Sequence, residues 1–125
     1  MILGIGIDII DIPRIERITE EYGEDIINRI FAKNEIVYCN SKKNPAINYA
    51  GRFAAKEAFL KAIGTGLRGG IKWKDISVVK DEFGRPFLSL SNKAKEAADK
   101  LGVNKIHVSL SHTAGNAIAM VVLEG

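Results

Sequence analysis

The stretch that most constrains the fold is an uninterrupted run of helix formers in the middle of the chain, AINYAGRFAAKEAFLKAI at residues 46–63. Alanine, lysine, glutamate and leucine are frequent in it and no proline breaks it, so helix propensity is high along its length. Gly64 and Gly66 follow at once, and glycine just past the last turn commonly ends a helix. The pattern predicts one long central helix against which the rest of a small chain must pack.

Two pairs of charged residues lie on this helix at a spacing of four, Arg52 with Lys56 and Glu57 with Lys61. Residues four apart share a helix face, and a glutamate four positions before a lysine favours a surface ion pair worth about 0.2–0.5 kcal/mol. From spacing alone, a solvated ion pair between Glu57 and Lys61 is the simpler interpretation.

The N-terminal segment, ILGIGIDIIDIPRIE at residues 2–16, contains a carboxylate inside an apolar run. Alternating isoleucine and glycine predicts a buried strand over residues 1–8, with Asp8 at its end. Gly4 and Gly6 allow another element or a ligand to approach the backbone closely. Burying the Asp8 carboxylate among isoleucines is costly unless it is paired or binds a metal.

Glycine, proline and polar clusters divide the remainder into short elements. They predict helices at 13–22, 25–30, 33–39 and 92–101, and hairpins that join 76–80 to 86–90 and 106–110 to 117–123. Strands and helices in this order predict an α+β fold, with helices packed against an antiparallel sheet. The final strand is apolar on both faces, as is the first, and a small domain has few elements to cover them. We therefore expect an oligomer.

Composition narrows the class of protein further. The chain has 125 residues, 46% of them hydrophobic, which suits a single domain over residues 1–125. A net charge of +3 is too small to indicate nucleic-acid binding by itself but suits an acidic partner. The longest apolar run is shorter than the roughly 18 residues of a membrane-spanning helix. The single cysteine, Cys39, is consistent with the reducing cytoplasm.

Three polar features each permit two interpretations. Lys42 and Lys43 in the polar loop 40–45 form a solvated corner or meet a phosphate. The glycine-rich segment 64–75 cradles an anion with its backbone amides or is a flexible connection. His112, at a predicted strand end, hydrogen-bonds locally or contacts a ligand.

Four segments together resemble one family. They read GIGIDIIDIPRIE at 4–16, GRFAAKEAFLKAIGTG at 51–66, FGRP at 83–86 and VSLSHT at 108–113. In order and spacing they are similar to the small, single-domain holo-acyl-carrier-protein synthases of the 4′-phosphopantetheinyl transferase superfamily. The two longer motifs are specific and the two short ones are weak alone.

The resemblance implies an enzyme with the 4′-phosphopantetheinyl transferase fold. It would transfer 4′-phosphopantetheine from coenzyme A to a serine of apo acyl carrier protein, release adenosine 3′,5′-bisphosphate (3′,5′-ADP), and support fatty acid biosynthesis. The resemblance makes Asp8 and Glu57 the ligands of Mg²⁺, an ion that prefers oxygen ligands and often keeps substrate phosphates in its shell. Lys61 and Glu57 become the catalytic residues, and the general base is either Lys61 or a water activated by Glu57.

The resemblance also implies a coenzyme site and an assembly. Candidate coenzyme-binding residues are Lys43, Arg52, Gly66, Gly84, Arg85, Pro86 and His112, with Arg52, Lys43 and His112 near the 3′-phosphate. Arg85 stands where the family often has lysine, which keeps the charge but changes its geometry. Members form homotrimers with the pocket between subunits, so Asp8 and Arg52 would serve one site from different chains.

The carrier protein would dock on the first helix. The resemblance assigns Arg14 this role, with apolar contacts from Ile18 and Ile26, because the carrier is acidic and opposite charge speeds association. The segment TEEYGED at 19–25 is acidic where the docking surface is usually basic. Either its carboxylates point away from the carrier, or docking rests mainly on arginines of this region, namely Arg14, Arg17 and Arg29.

Three rival functions compete with this one. A larger transferase of the type that modifies peptide-synthetase carriers would carry two related halves, and this chain has no second copy. A non-catalytic trimer that binds nucleotide or nucleic acid would not need Glu57. A metal-dependent pyrophosphate hydrolase would use the same carboxylates with water as the nucleophile, and would cleave coenzyme A without any carrier.

Overall fold

A computed structural model describes all 125 residues and confirms the predicted order of elements. The elements are β1 (Ile2–Asp11), α1 (Ile12–Ile30), α2 (Lys33–Asn40), α3 (Pro45–Ile63), β2 (Ile76–Lys80), β3 (Pro86–Leu90), α4 (Asn92–Leu101), β4 (Lys105–His112) and β5 (Asn116–Glu124). The central helix α3 begins one residue earlier than predicted and ends at Ile63, where Gly64 adopts a left-handed conformation. Gly23 interrupts α1 with a non-helical backbone, which is the predicted break.

The strands form two antiparallel sheets. One has three strands in the order β1-β5-β4, and the other is the hairpin of β2 and β3. The main core lies between α3 and these strands, and small side chains such as Ala58, together with Phe59 and Val121, are fully buried there. This arrangement confirms the expected α+β fold with helices on an antiparallel sheet.

Strand β1 lies unusually close to α3 because two of its residues have no side chain. A Cβ built on Gly6 would lie 1.8 Å from the carbonyl oxygen of Ala58, and one on Gly4 would lie 2.1 Å from that of Ala62. The close approach anticipated at these glycines is therefore made to another element of the same chain. Side chains alternate along a strand, so Gly4, Gly6 and Asp8 all face α3.

The predicted end of the first strand was wrong. Strand β1 continues beyond Asp8 to Asp11, so Asp8 lies inside the strand, opposite Ala119 of β5. The reason is the length of β5, which continues to pair with β1 as far as Asn116 opposite Asp11.

The outer face of the three-stranded sheet is apolar and open to solvent. Ile5, Ile7 and Ile9 of β1 are 59%, 55% and 62% exposed, and Met120 of β5 is 43% exposed. Contiguous exposed apolar patches commonly mark protein interfaces. None of the helices combines the length and apolar character needed to cross a membrane.

Candidate functional site

Asp8 and Lys61 form an ion pair where β1 faces α3. The Nζ atom of Lys61 lies 2.8 Å from Asp8 Oδ1 and also donates to the carbonyl oxygen of Ile7 at 3.1 Å. The Asp8 side chain is only 14% exposed, and its Oδ2 is buried without a hydrogen-bond partner. Lys61 is not paired with Glu57, so the simple surface ion pair suggested by the helical spacing was wrong.

Glu57 completes a group of three charged side chains. Burial raises the pKa of its carboxyl, and the negative charge of Asp8 raises it further, while Lys61 opposes both effects. The hydrogen bond to Asp8 raises the pKa of Lys61, which holds its amine protonated. The like charges of Asp8 and Glu57 therefore interact, although they lie 49 positions apart in the sequence.

The carboxylates of Asp8 and Glu57 provide the protein oxygens that would bind a divalent cation here. No group of three or more histidine, cysteine, aspartate or glutamate side chains could hold a metal ion. Oxygen donors from a bound ligand would therefore have to complete the coordination. Two protein carboxylates with phosphate and water oxygens are a typical magnesium environment. The unpartnered Oδ2 of Asp8 fits such a role, because a buried carboxylate oxygen is otherwise costly.

Two cavities meet at Glu57. An apolar cavity of about 400 Å³ lies between α1, β1 and α3, and its lining includes Asp8, Glu57, Arg14, Ile18 and Ile26. A second, more open cavity of about 510 Å³ is lined by Glu57, Lys61, Leu60, Gly64, Gly66, Leu67 and Trp73. Glu57 is the residue that lines both. The structure thus brings Asp8 and Glu57 together with the three candidate docking residues at the apolar cavity, and Glu57 together with Lys61 and Gly66 at the second cavity.

The acidic side chains of the segment 19–25 lie outside the apolar cavity. These carboxylates are exposed and do not line the cavity, whereas Ile18 and Ile26 on either side of the segment do. Arg14 is the arginine of α1 that reaches the cavity, and Arg17 and Arg29 do not line it. The acidic side chains therefore lie away from the apolar cavity, and which arginines the carrier contacts stays a prediction.

The other candidate residues lie elsewhere. Lys43, Arg52, Gly84, Arg85, Pro86 and His112 line neither cavity. His112 is exposed at the end of β4, and Gly84 has a φ of +79° in the turn between β2 and β3. Within one chain, these residues are not gathered with Asp8 and Glu57 into a single pocket.

A buried ion pair next to the site was missed from the sequence. Lys56 and Glu35 are both 0% exposed, with 2.7 Å between Lys56 Nζ and Glu35 Oε1. Lys56 also donates to the carbonyl oxygens of Trp73 and Ile76, and Glu35 accepts from the backbone amides of Ala32 and Val78. The pair ties α2, α3 and β2 together. A separation of 21 positions gives no local signal for it.

Comparison with known proteins shows which family the chain belongs to. A model of the 4′-phosphopantetheinyl transferase superfamily matches residues 4–121. The chain belongs to that superfamily. It is 52% identical over 124 residues to a holo-[acyl-carrier-protein] synthase of Geobacter sp. strain M21, covering 99% of each chain.

Solved structures of the superfamily agree with this fold over the whole chain. A holo-[acyl-carrier-protein] synthase from Neisseria meningitidis is 34% identical with a TM-score of 0.92, covering 100% of both chains. One from Helicobacter pylori, in complex with coenzyme A, is 37% identical with a TM-score of 0.84, covering 96% of this chain and 99% of that one. The resemblance found in the sequence is confirmed, and with it the expected enzyme class, a holo-acyl-carrier-protein synthase.

Proposed function

We propose that this chain transfers 4′-phosphopantetheine from coenzyme A to a serine hydroxyl of apo acyl carrier protein, with Mg²⁺ as cofactor. The products are holo acyl carrier protein and 3′,5′-ADP. The relatives are named for this reaction, and one of the similar structures is a complex with coenzyme A. The proposed cellular role is to supply holo carrier protein for fatty acid biosynthesis in the cytoplasm.

The observation that carries the proposal is the position of Glu57 where two unlike cavities meet. The apolar cavity, with Arg14 at its edge, suits a helix of an acidic carrier protein. The second cavity, with Lys61 and the glycines 64 and 66, suits a pyrophosphate, since an ammonium and open backbone amides both bind phosphate oxygens. The serine of the carrier protein would enter from the apolar cavity. It would reach the pyrophosphate of coenzyme A, bound in the second cavity, beside Glu57.

Asp8 and Glu57 are the residues that would hold Mg²⁺. The free, buried Oδ2 of Asp8 supports this role, and the pKa of Glu57 is raised first by burial and then by the negative charge of Asp8, which Lys61 only partly opposes. When bound, Mg²⁺ supplies positive charge that neutralises the charge developing on the phosphate oxygens. The ammonium of Lys61 adds charge at the same edge, where its side chain is 54% exposed and within reach of a ligand.

The arrangement favours one of the two candidate bases. Lys61 is an ammonium that already donates to Asp8 and to the backbone of Ile7, so it has no lone pair with which to accept the serine proton. Glu57 makes no hydrogen bond within the chain that would compete with a water or a serine hydroxyl. We assign the base to Glu57 acting through a water, and the stabilisation of negative charge to Lys61.

The remaining coenzyme residues are proposed to act across a subunit interface. Lys43, Arg52 and His112, together with the segment Gly84, Arg85 and Pro86, lie away from Glu57 within one chain. A homotrimer would bring them to the Glu57 of a neighbour. Ile5, Ile7, Ile9 and Met120 on the outer sheet face provide an apolar surface for that assembly.

Mass spectrometry of a carrier protein tests the proposal and separates it from its rivals. Apo acyl carrier protein is incubated with the chain, coenzyme A and Mg²⁺, and EDTA serves as the control. The proposal expects a gain of one phosphopantetheine mass that EDTA abolishes. Coenzyme A cleaved without modification of the carrier would instead support the hydrolase. Intact coenzyme A and unmodified carrier, with two different carriers, would support a binding protein.

A further inference from the structure

The buried pair of Glu35 and Lys56 binds the backbone of a short turn beside the second cavity. Lys56 Nζ donates to Glu35 Oε1 at 2.7 Å. It also donates to the carbonyl oxygen of Trp73 at 3.2 Å and to that of Ile76. Trp73–Asp75 is a single turn of 3₁₀ helix, and Ile76 follows it. One ammonium group therefore binds both ends of this turn.

Trp73 connects the turn to both cavities. It lines the second cavity, together with Leu60 and Leu67. Its ring also packs against that of Phe53, with 5.1 Å between the ring centroids, and Phe53 lines the apolar cavity. A displacement of the turn would move the indole and so change the shape of the second cavity.

Two buried charged residues tie the turn to two different helices. Asp75 Oδ1 accepts from Asn92 Nδ2, which ties the turn to α4. Lys56 ties it to α3, the helix that also carries Glu57. The bond from Lys56 therefore sets the position of Trp73 relative to Glu57, across the second cavity.

Stability alone does not explain why two charges are buried here. Taking both ions out of water is costly, and apolar side chains of similar volume often replace a buried pair without loss of stability. Apolar side chains cannot supply direction, however. The three N–H groups of Lys56 have three acceptors, and the oxygens of Glu35 also accept from the backbone amides of Ala32 and Val78. Directed bonds of this kind fix a geometry.

We propose that Glu35 and Lys56 are positioning residues that hold Trp73 as a fixed wall of the coenzyme cavity. This inference rests on the proposed function, in which coenzyme A binds in the second cavity beside Glu57. Glu35 orients Lys56, Lys56 holds the backbone of Trp73, and the Trp73 indole contacts coenzyme A. The two charged residues are fully buried, so they act on the coenzyme only through Trp73.

Calorimetric binding of coenzyme A at constant Mg²⁺, in a double-mutant cycle, tests the proposal. The pair variant, Glu35→Gln with Lys56→Met, removes both charges together so that neither is left buried and unpaired. It is compared with wild type, with Trp73→Ala and with the triple variant that combines all the changes. The control is Ala98→Gly, which lowers stability within α4 at a buried position that lines neither cavity.

The expected result is a non-additive loss of affinity. The pair variant and Trp73→Ala should each weaken the binding of coenzyme A about tenfold. The triple variant should bind about as weakly as the weaker of these two proteins, because both changes act through the same wall. Ala98→Gly should bind coenzyme A as wild type does, although it unfolds at a lower temperature.

The fluorescence of Trp73 reports on the wall directly, since it is the single tryptophan of the chain. In the pair variant its emission maximum should shift to longer wavelength, because a displaced indole meets more water. Ala98→Gly should leave the emission unchanged. A pair variant that unfolds at a lower temperature but keeps the wild-type emission and affinity would overturn the proposal, since the pair would then serve stability alone.

Three other outcomes would also overturn it. Additive losses in the triple variant would show that the pair does not act through Trp73. Wild-type affinity in Trp73→Ala would remove the wall itself, and this result does not depend on the folding of the pair variant. A pair variant that does not fold would assign Glu35 and Lys56 to folding.

A parallel transfer assay with wild type separates this inference from the proposed function. The calorimetry needs no carrier protein, so binding without transfer removes the proposed reaction and leaves the cycle to decide the role of the pair. Transfer by wild type, with unaltered binding in the pair variant, removes the positioning role alone. Wild type that does not bind coenzyme A would overturn both.

Discussion

Gly6 of β1 lies against the backbone of Ala58 of α3 with no room for a side chain, since a Cβ on Gly6 would be 1.8 Å from the Ala58 carbonyl oxygen. The contact sets the distance between strand and helix. Two residues further on, the same strand face carries Asp8, which thereby meets Lys61 at 2.8 Å. A packing contact in the middle of the strand thus positions a charged residue two positions further along it.

Replacing Gly6 with alanine should therefore destabilise the fold. The new methyl group would clash with backbone, which cannot move aside as a side chain can, so we expect the free energy of unfolding to fall by about 3 kcal/mol or more. Gly51→Ala is the control, because its site within α3 has no atom within 4 Å of an added Cβ. That change should leave stability equal or raise it by roughly 0.5–1 kcal/mol. Urea denaturation measures both, and similar curves for the two variants would contradict the packing argument.

Charge reversal on α1 should separate carrier docking from coenzyme binding. Arg14 lines the apolar cavity and Arg17, three residues later, does not. We expect Arg14→Asp to raise KM for the carrier protein about tenfold or more while KM for coenzyme A hardly changes, since opposed charges at the edge of an interface mainly alter association. Arg17→Asp, with the same charge change, should have a much smaller effect. Equal effects of the two variants on KM for the carrier would remove the docking role of Arg14.

The exposed isoleucines of β1 should hold the assembly together. Ile7 is 55% exposed at the centre of the outer sheet face, and a glutamate there would place a charge inside an apolar interface. We expect wild type to sediment as a trimer and Ile7→Glu as smaller species with less activity. Ser89→Glu, on the exposed face of the other sheet, provides the control. A fully active wild-type monomer would refute a site shared between subunits.

The buried thiol of Cys39 should make the free energy of unfolding depend on pH. Burial raises the pKa of its thiol from about 9 to about 11, because the thiolate is disfavoured inside the protein. A raised pKa in the folded state adds stability that is present below pH 9 and is lost as the pH rises toward 11. The free energy of unfolding should thus decline more steeply over this interval in wild type than in Cys39→Ala. Urea denaturation at each pH measures the two slopes. Identical slopes for the two proteins would contradict a raised thiol pKa in the folded state.

The sequence predicted the secondary structure closely because glycine and proline mark most of its boundaries. Gly23, Gly64 and Gly102 adopt positive φ where breaks were predicted or helices end, and Pro86 opens a strand. The extent of β1 was not predictable in this way. Its last three residues are held by pairing with β5, a partner more than 100 positions away, so no local pattern signals where the strand ends.

The sequence motifs named Asp8, Glu57 and Lys61 as candidate site residues but did not predict how their side chains pair. Glu57 and Lys61 share one helix, but the pairing of Lys61 with Asp8 depends on how closely two glycines let a strand approach that helix. Lys42, Arg52 and Lys80 all lie over the ring of Tyr38, although they come from three separate parts of the sequence. Their proximity follows from the fold and is not visible in their spacing along the sequence.

We expect Glu57, between the two cavities, to be needed for metal-dependent transfer and not for folding. The most direct test is the rate of phosphopantetheine transfer by Glu57→Gln at saturating carrier, coenzyme A and Mg²⁺, with the exposed helix residue Glu96→Gln as control. We predict that Glu57→Gln lowers kcat by about 10²- to 10⁴-fold, the range for losing a positioned acid–base group, while its thermal stability is preserved. Glu96→Gln should match wild type. A folded Glu57→Gln protein that transfers phosphopantetheine at the wild-type rate would contradict the account.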